Sequence, residues 1–360
     1  MTIDSNAREP LSLPILDYSL LQSNDPDAQS GFISELRSAL LDSGFFYLTN
    51  HGIPLQELDS LFDVLKRFFT LPLEIKEEIA MEKSPHFRGY TRLGEEITDF
   101  KADNREELDY APERASLRPL PATSPIYQNL HGPNQWPDEA LVPGFRDGVL
   151  RFQARANDVA LAIMSAIARS LELSPRFFEE AFGEKSHNRL KLVRYPAAGE
   201  TGVQGHGLGV GPHKDGGYLT MLFQDAVGGL QIQTRMGSWL SATPIRGTAV
   251  INIGQQLERL TKRVYVSTTH RVLTHSHSER FSVPFFLCPH LDAVIPEIDV
   301  PAWILDRARE HHEWTSDVPT RELLQREVYG ENAWRGITRS HVGVLCKHYP
   351  EEAKRRGYVH

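Results

Sequence analysis

The most informative segment of the chain is a His-x-Asp pattern within residues 210–224, Val210-Gly-Pro-His-Lys-Asp-Gly-Gly-Tyr-Leu-Thr-Met-Leu-Phe-Gln224. His213 and Asp215 are two positions apart, and residues at i and i+2 of an extended strand share one face of the sheet. That face could hold a metal ion if a neighbouring strand supplied a third ligand. His270, 55 residues after Asp215, is a candidate for that ligand.

This ligand set favours a particular chemistry. Two imidazoles and one carboxylate on one face of an octahedron leave three adjacent positions open, as in non-haem Fe(II) oxygenases. The pattern alone is weak, because a chain with 15 histidines is expected to contain about one His-x-Asp by chance. His311-His-Glu313 is a poorer candidate because it lies in a helical pattern, and His275-Ser-His277 because it lies in a polar turn. Three other histidines are expected in turns or at the surface: His51, His131 and His341.

Short strands separated by turn residues surround the His-x-Asp pattern. This spacing is typical of a sandwich or barrel. The predicted strands are Leu190–Tyr195, Tyr218–Phe223, Gly229–Gln233, Trp239–Ala242, Thr248–Ile253, Thr269–Leu273 and Arg280–Leu287.

Helical patterns dominate the first half of the chain and return at its end. Apolar spacing predicts helices over about 29–42, 55–69, 72–80 and 145–172, and again from Ala302 onward. Gly44 is expected to end the first of these helices. Residues 81–143 show little periodicity and predict long ordered loops around one strand near Glu107–Tyr110. An N-terminal helical layer would then support one β-barrel, closed by C-terminal helices.

Composition excludes several classes of protein. The chain has 360 residues, of which 40% are hydrophobic and 24% charged, so it predicts a globular protein. A net charge of −8 without a basic cluster argues against nucleic acid as a partner. The longest apolar run, Val159–Ala168, is far shorter than the roughly 20 residues that a bilayer requires. Cys288 and Cys346 look like buried thiols of a reducing compartment, so we expect a cytoplasmic protein.

The segment Arg280-Phe-Ser282 follows His270 by ten residues on an alternating strand. If Arg280 and Ser282 are directed into the barrel, the guanidinium requires an anion, and a carboxylate matches its two parallel N–H donors. The alternative is that Arg280 faces solvent and Phe281 faces the core.

The order His213-x-Asp215, His270, Arg280-x-Ser282 resembles the iron- and 2-oxoglutarate-dependent dioxygenases of the isopenicillin N synthase-like group. The resemblance extends over roughly residues 13–330. Residues 132–137 are more similar to the microbial branch, with its thymine hydroxylases and ethylene-forming enzymes, than to the plant branch. The other similar segments are Gly44–Leu48, Asn50–Pro54, Arg194–Pro196, Leu222–Asp225, Gly228–Gln231, Asn252–Gly254 and Ser267–Val272.

The resemblance implies a role for six residues. His213, Asp215 and His270 would bind iron, and Arg280 and Ser282 would bind the distal carboxylate of 2-oxoglutarate. Tyr195 would be a third hydrogen-bond donor to that carboxylate. Two departures bear on cosubstrate affinity, since Val193 stands where plant members often carry Asn and Gln255 where Asp is usual.

The implied fold is mainly β with α, built on a double-stranded β-helix, or jelly-roll, core. We expect an N-terminal helical and loop region over 1–185, the catalytic core over 186–300 and closing helices over 301–360. These form one structural unit, because no clean linker separates them.

The implied activity is hydroxylation of a small organic molecule with Fe(II), 2-oxoglutarate and O₂, releasing succinate and CO₂. Desaturation and ring formation are further possible outcomes. Two alternatives stay open: a same-fold oxidase that does not use 2-oxoglutarate, and an inactive ligand-binding protein. We expect a small-molecule substrate, no nucleic acid and no membrane as partners, and leave the oligomeric state open.

Two loops are expected to form the mouth of the substrate pocket. One is Pro85–Tyr110, with Phe87, Arg88 and Tyr90, and the other is the glycine-rich segment Gly199–Gly211. The glycines would permit either a mobile lid or a solvated turn. The aromatic residues predict a mainly apolar, compact ligand.

Overall fold

Helices and strands mix along the whole chain in the computed structural model, which describes residues 12–98, 101–198, 200, 207–275, 277–311 and 327–358. The helices are α1 Tyr18–Leu21, α2 Pro26–Asp42, α3 Leu55–Phe69, α4 Leu73–Lys76, α5 Phe145–Ser170, α6 Glu179–Phe182, α7 Gln255–Leu260, α8 Ala302–His311, α9 Tyr329–Ser340, α10 Val342–His348 and α11 Pro350–Arg355. The strands are β1 Ile15–Asp17, β2 Phe45–Thr49, β3 Gly89–Thr91, β4 Ile97–Thr98, β5 Lys101–Ala102, β6 Glu106–Tyr110, β7 Arg189–Tyr195, β8 Leu208–His213, β9 Leu219–Gln224, β10 Leu230–Gln233, β11 Trp239–Ser241, β12 Ala249–Ile253, β13 His270–Leu273 and β14 Arg280–Leu287.

Local sequence explains where α2 begins and where the chain turns into β2. The Asp25 carboxylate accepts a hydrogen bond from the Asp27 N–H, and Pro26 occupies the first turn, where its missing N–H costs nothing. Gly44, just after the helix, has a φ of +66°, and a Cβ there would lie 2.0 Å from the Val266 carbonyl oxygen. Only glycine fits this position.

Two sheets carry the architecture. The larger has the strand order β1-β2-β12-β9-β14-β7-β6-β3, and the smaller has the order β11-β10-β13-β8. Strands β1 and β2 pair in parallel, whereas the other pairs described in these two sheets are antiparallel. Four strands of the larger sheet, β1, β2, β3 and β6, come from the first half of the chain, which therefore shares a sheet with the second half.

Apolar side chains fill the space between the two sheets. Phe45, Tyr195 and Val250 of the larger sheet form one buried cluster with Val210 and Val272 of the smaller sheet. The long helix α5 packs against β9 and β14 from another side, within the main core. A site between the sheets is therefore flanked by buried apolar side chains.

The structure corrects several expectations about the fold. It is mixed α/β rather than mainly β, because the described helices together contain more residues than the strands. Strand β8 occupies the end of the segment expected to be a glycine-rich loop, since it gains backbone partners from β13. Residues 199 and 201–206 of that segment lie outside the described residues. The predicted helix 55–69 is confirmed as α3. Among the described helices, none has both the length and the apolar character needed to cross a membrane.

Candidate active site

The structure brings His213, Asp215 and His270 together between the two sheets. His213 is the last residue of β8 and pairs directly with His270, the first residue of β13. The Nε2 atoms of His213 and His270 lie 3.9 Å and 3.7 Å from Asp215 Oδ1. The sequence argument assumed that Asp215 lies on the same strand as His213. Strand β8 instead ends at His213, and Asp215 follows in the connection to β9.

Backbone carbonyls orient both imidazoles. His213 Nδ1 lies 2.9 Å from the Gly211 carbonyl oxygen, and His270 Nδ1 lies 3.1 Å from the Thr268 carbonyl oxygen. A carbonyl can only accept, so each Nδ1 carries the proton and donates it. Each Nε2 is left with a lone pair facing Asp215, which is the tautomer that a metal ligand requires.

Two neighbouring strands hold the carboxylate of Asp215. Its Oδ2 accepts hydrogen bonds from Thr220 Oγ1 at 2.6 Å and from Asn252 Nδ2 at 2.7 Å. Thr220 and Asn252 are direct partners across β9 and β12. Oδ1 therefore remains turned toward the imidazoles. The sequence argument assigned no role to these two residues. A Thr within the apolar strand β9 could have indicated a polar contact for Thr220.

Protonation favours a metal-binding state of this triad. Burial and the neighbouring His270 lower the pKa of His213 to about 3, so its imidazole is neutral. Burial opposes ionisation of Asp215, but attraction to the imidazoles in their protonated form and the hydrogen bonds from Asn252 and Thr220 outweigh it and lower its pKa. The donor atoms of the triad lie within 4.8 Å of one another. Two imidazole nitrogens and one carboxylate fit a divalent first-row metal such as iron.

Arg280 points inward and has no acidic partner among the described residues. It is 1% exposed, and its Nη1 and Nη2 donate to Ser282 Oγ and Gln224 Oε1, both at 3.1 Å. Its Nε has no hydrogen-bond partner within the described chain. A buried guanidinium held only by neutral oxygens is costly unless an anion meets it. The alternative in which Arg280 faces solvent is therefore wrong.

Tyr195 lies directly opposite Arg280 across β7 and β14. Its ring centroid is 4.9 Å from the guanidinium carbon, and both residues line one cavity. Gly209 packs against this ring, since a Cβ at that position would lie 2.5 Å from Tyr195 Cδ1. Val193, one of the two departures noted above, is fully buried in the apolar cluster between the sheets.

Two cavities meet at the triad. The inner one has a volume of about 70 Å³ and joins the three triad residues to Arg280, Ser282 and Tyr195. The outer one has a volume of about 230 Å³ and extends from the triad to α9. The residues that line both are Arg105, His213, Asp215 and Phe286. A larger cavity of about 810 Å³ near β1 and the β10–β11 turn lies away from these groups.

Buried charges line the outer cavity and continue behind it. We call this set the charged layer; it consists of Glu96, Asp103, Arg105, Glu107, Asp109 and Lys191. Burial and Glu96 raise the pKa of Glu107, whereas Arg105 and Lys191 outweigh burial and lower the pKa of Glu96. Glu107 therefore keeps a proton, whereas Glu96 is ionised.

The charged layer contains a second group of potential metal ligands, Glu96, Glu107 and His341. Lys191 Nζ already occupies this place, because it lies 2.8 Å and 2.9 Å from the Glu96 oxygens and also contacts Glu107. Asp109 Oδ2 lies 3.3 Å from the same ammonium. The ammonium supplies the positive charge that a metal would bring, so this group is an ion-pair network.

The expected pocket mouth needs correction. Phe87, Arg88 and Tyr90 are buried, and Arg88 donates to the carbonyl oxygens of His86 and Leu130 instead of facing the cavity. The same segment contributes other residues, Glu96, Ile97, Thr98 and Arg105. The cavity wall therefore carries several charged groups that were not expected there, although apolar atoms still make up most of its surface.

Three histidines lie in connections between elements, as expected, but they are not surface residues. His51 and His341 are buried, and His131 is partly buried. His341 lines the outer cavity at the end of α9. Their polar sequence neighbours suggested surface positions, but long-range packing buries them.

Comparison with known proteins shows the family to which the chain belongs. Residues 13–139 match the N-terminal family of non-haem dioxygenases in morphine synthesis, and residues 187–289 match the 2OG-Fe(II) oxygenase superfamily. The 2-oxoglutarate-dependent dioxygenase frbJ of Dothideomycetidae sp. is 40% identical over 81% of this chain and 77% of its own length. The chain belongs to the iron- and 2-oxoglutarate-dependent oxygenases of the isopenicillin N synthase-like superfamily.

Oxygenases of this family use Fe(II), 2-oxoglutarate and O₂, and the protein is an enzyme of this kind. The homoarginine-6-hydroxylase 2-ODD-C23 of Glycine max is 33% identical over 89% of this chain and 95% of its own length. The crystal structure of a full-length Neurospora crassa protein in complex with α-ketoglutarate has a TM-score of 0.72 and 24% identity. The match covers 91% of this chain and 96% of that chain, and this likeness concerns the fold.

Proposed function

We propose that this oxygenase hydroxylates a small polar molecule, with Fe(II) held by His213, Asp215 and His270 and 2-oxoglutarate anchored by Arg280. One observation carries the proposal. The buried guanidinium of Arg280 lacks an acidic partner among the described residues and lines the same cavity as the triad. A dicarboxylate reaching from the metal to Arg280 supplies the missing anion.

The residues around the proposed cosubstrate site have distinct tasks. Arg280 binds the distal carboxylate through its N–H groups. Because Ser282 Oγ accepts from Nη1, its own hydroxyl hydrogen is free to donate to that carboxylate. Tyr195 packs on the guanidinium and is proposed as a third hydrogen-bond donor. Apolar neighbours exclude water from the inner cavity: Val210, Leu222, Leu230 and Val272.

The triad residues orient the reaction. When bound, iron with 2-oxoglutarate and O₂ supplies the oxidising power for a C–H bond of the substrate, with succinate and CO₂ as coproducts. The protein contributes two imidazoles oriented by backbone carbonyls and a carboxylate with a fixed orientation. Hydroxylation is the default outcome, and desaturation or ring formation would require a different substrate placement in the outer cavity.

The fold supports this assignment. We propose that the two facing sheets are a double-stranded β-helix core over 186–300, with the region 1–185 and the closing helices 301–360 completing one structural unit. We also propose that the enzyme acts on a small molecule in the cytoplasm and that it does not depend on nucleic acid or a membrane.

The outer cavity supports a polar substrate. Charged and hydrogen-bonding side chains line it, among them Glu96, Arg105, Lys191 and Asn332. The homoarginine-6-hydroxylase relative is named for a small polar substrate, which is the class that this wall suits. The substrate cavity thus favours small molecules that carry charge.

Oxygen consumption with and without 2-oxoglutarate tests the proposed function. We expect purified protein with Fe(II) to consume O₂ and form succinate only when 2-oxoglutarate is present. Oxygen uptake that is independent of 2-oxoglutarate would favour the same-fold oxidase. A survey of succinate formation across small polar molecules would then identify the substrate.

A further inference from the structure

Helix α9 forms one wall of the outer cavity. Trp334 and Thr338 of this helix are buried and do not line the cavity, whereas the buried Ile337 does. The opposite side presents Ala333 and Gly336 to the cavity, followed by Arg339. Because Ala and Gly have almost no side chain, this wall leaves open space beside the Arg339 guanidinium.

Five basic residues line the outer cavity, and carboxylates hold four of them. Arg105 Nη2 lies 2.8 Å from Glu96 and 2.9 Å from Asp103, and Arg189 Nη2 lies 2.5 Å from Asp109. Lys191 lies within the charged layer described above. Lys214 Nζ lies 3.9 Å from Glu258 Oε1.

Arg339 is the fifth basic residue. It is half-buried, and within the described part of the chain its side chain makes no hydrogen bond and no ion pair. Burial of a guanidinium without a partner is unfavourable, so the position is suited to an anion that arrives with a ligand.

Two acidic residues line this cavity: Asp215 belongs to the triad, and Glu96 is already occupied by basic partners. Both oxygens of Glu96 accept from Lys191, and Oε2 also accepts from Arg105. Among the described lining residues, the cavity therefore offers a free cation in Arg339, while Glu96 is paired and Asp215 belongs to the triad. This charge arrangement selects for an anionic group on the ligand.

We propose that Arg339 binds a carboxylate of the substrate, so that the enzyme acts on small carboxylic acids. The planar guanidinium matches a carboxylate with two parallel hydrogen bonds, and a cavity of about 230 Å³ suits a compact acid. This inference rests on the proposed function, since it assigns the outer cavity to the substrate. Arg339 is a specificity-determining residue in this scheme.

Matched acid and amide probes test the proposal. Wild-type enzyme with Fe(II) and 2-oxoglutarate would be given L-arginine, L-proline or 3-phenylpropanoate, each beside its primary amide, and succinate formation measured. An amide keeps the carbon skeleton and removes the negative charge. We expect at least one acid to stimulate succinate formation with a KM at least about tenfold below that of its amide, because hydrogen bonds to charged groups are strong.

Substitution of Arg339 should remove this preference. In Arg339→Gln we expect the KM of the stimulating acid to rise at least about tenfold with a smaller change in kcat, so that acid and amide become similar. Arg339→Lys should recover part of the preference, because lysine keeps the positive charge but lacks the two parallel N–H donors of arginine. Arg335→Gln is the matched control, since it makes the same change on α9 outside the cavity lining.

The outcomes separate the two claims. If no acid outperforms its amide in the wild type, or if Arg339→Gln keeps the preference, the carboxylate proposal is overturned while the oxygenase assignment stands. If the wild type forms no succinate from 2-oxoglutarate under any of these conditions, the proposed function itself fails.

Discussion

Arg280 is the residue whose surroundings say most about the cosubstrate. Its guanidinium is buried against Ser282, Gln224 and the ring of Tyr195, three neutral partners. Replacing it by Leu should cost on the order of 2 to 5 kcal/mol of 2-oxoglutarate binding, part of which is the penalty for the unpaired carboxylate. We therefore predict a rise of at least about 30-fold in the KM for 2-oxoglutarate.

Succinate formation at varied 2-oxoglutarate concentration measures this effect in Arg280→Leu. Arg246→Leu is the control, because Arg246 forms an exposed ion pair with Asp59 away from the site. An unchanged KM in Arg280→Leu would mean that another group anchors the cosubstrate.

Thr220 illustrates how a residue outside the proposed ligand set can orient a proposed metal ligand. Its hydroxyl donates to Asp215 Oδ2 and so keeps Oδ1 turned toward the imidazoles. Loss of such a supporting hydrogen bond typically costs roughly 10- to 100-fold in metal affinity. We predict a loss of about that size in Thr220→Val, which keeps the side-chain shape.

Anaerobic titration with Fe(II) measures the affinity of this variant. Thr49→Val on β2 is the matched control, since its hydroxyl donates to the Leu16 carbonyl oxygen far from Asp215. Wild-type affinity in Thr220→Val would show that Asp215 does not depend on this bond for its orientation.

Residue patterns in the sequence nominated five of the six predicted site residues and the family resemblance added Tyr195; the structure brings all six into one cavity. The supporting residues Gln224, Arg105 and Arg339 escaped notice. Polar side chains have no periodic signature of their own, and their contacts come from residues far away in sequence. Gln224, for example, meets Arg280 across 56 positions.

At the scale of elements, β6 is unusual because all five of its residues are buried although three are acidic. Pairing with β7 resolves this, since Asp109 lies directly opposite Lys191. The ammonium of Lys191 then contacts Glu96, Glu107 and Asp109. Sequence alone predicted a strand near 107–110 but could not supply its partner, a strand far away along the chain.

Removing the ammonium from this layer should be costly. In Lys191→Met, buried carboxylates lose their compensating charge, and breaking a buried ion pair in this way typically costs about 3 to 5 kcal/mol. We predict a loss of about that size in the free energy of unfolding, measured by urea denaturation of the metal-free protein.

An exposed pair provides the comparison. Arg92 lies 2.6 Å from Glu77, and its side chain is half exposed. Arg92→Met should change the free energy of unfolding by less than about 1 kcal/mol. If Lys191→Met and Arg92→Met lower the free energy of unfolding by the same amount, the charged layer does not depend on Lys191 for its stability.

Strand β8 shows where element prediction failed. Its glycines weaken the β pattern, and the segment looked like a loop, yet β13 supplies it with hydrogen-bond partners and fixes His213 beside His270. Tertiary pairing thus outweighed local propensity. By contrast, α3 carried a strong apolar period and was predicted with the bounds that the structure gives it.

For the whole molecule, the decisive feature is that the two sheets contribute different halves of the site. The smaller sheet positions His213 and His270, and the larger sheet provides Arg280, Ser282 and Tyr195. The sequence indicated many short strands, but not which of them would face each other. The parallel pairing of β1 with β2 and the entry of β6 into the larger sheet have no local signature.

The metal content of the triad variants tests the central proposal most directly. Metal-free wild type and the variants His213→Ala, Asp215→Ala and His270→Ala would be equilibrated anaerobically with Fe(II) and 2-oxoglutarate, and the bound iron measured. His275→Ala is the control, because that histidine lies beyond the end of β13 and outside the triad. We predict one iron per chain in the wild type and in the control, and far less in each triad variant at the same free Fe(II). Full iron binding at wild-type affinity in any triad variant, or none in the wild type, would contradict the proposed site.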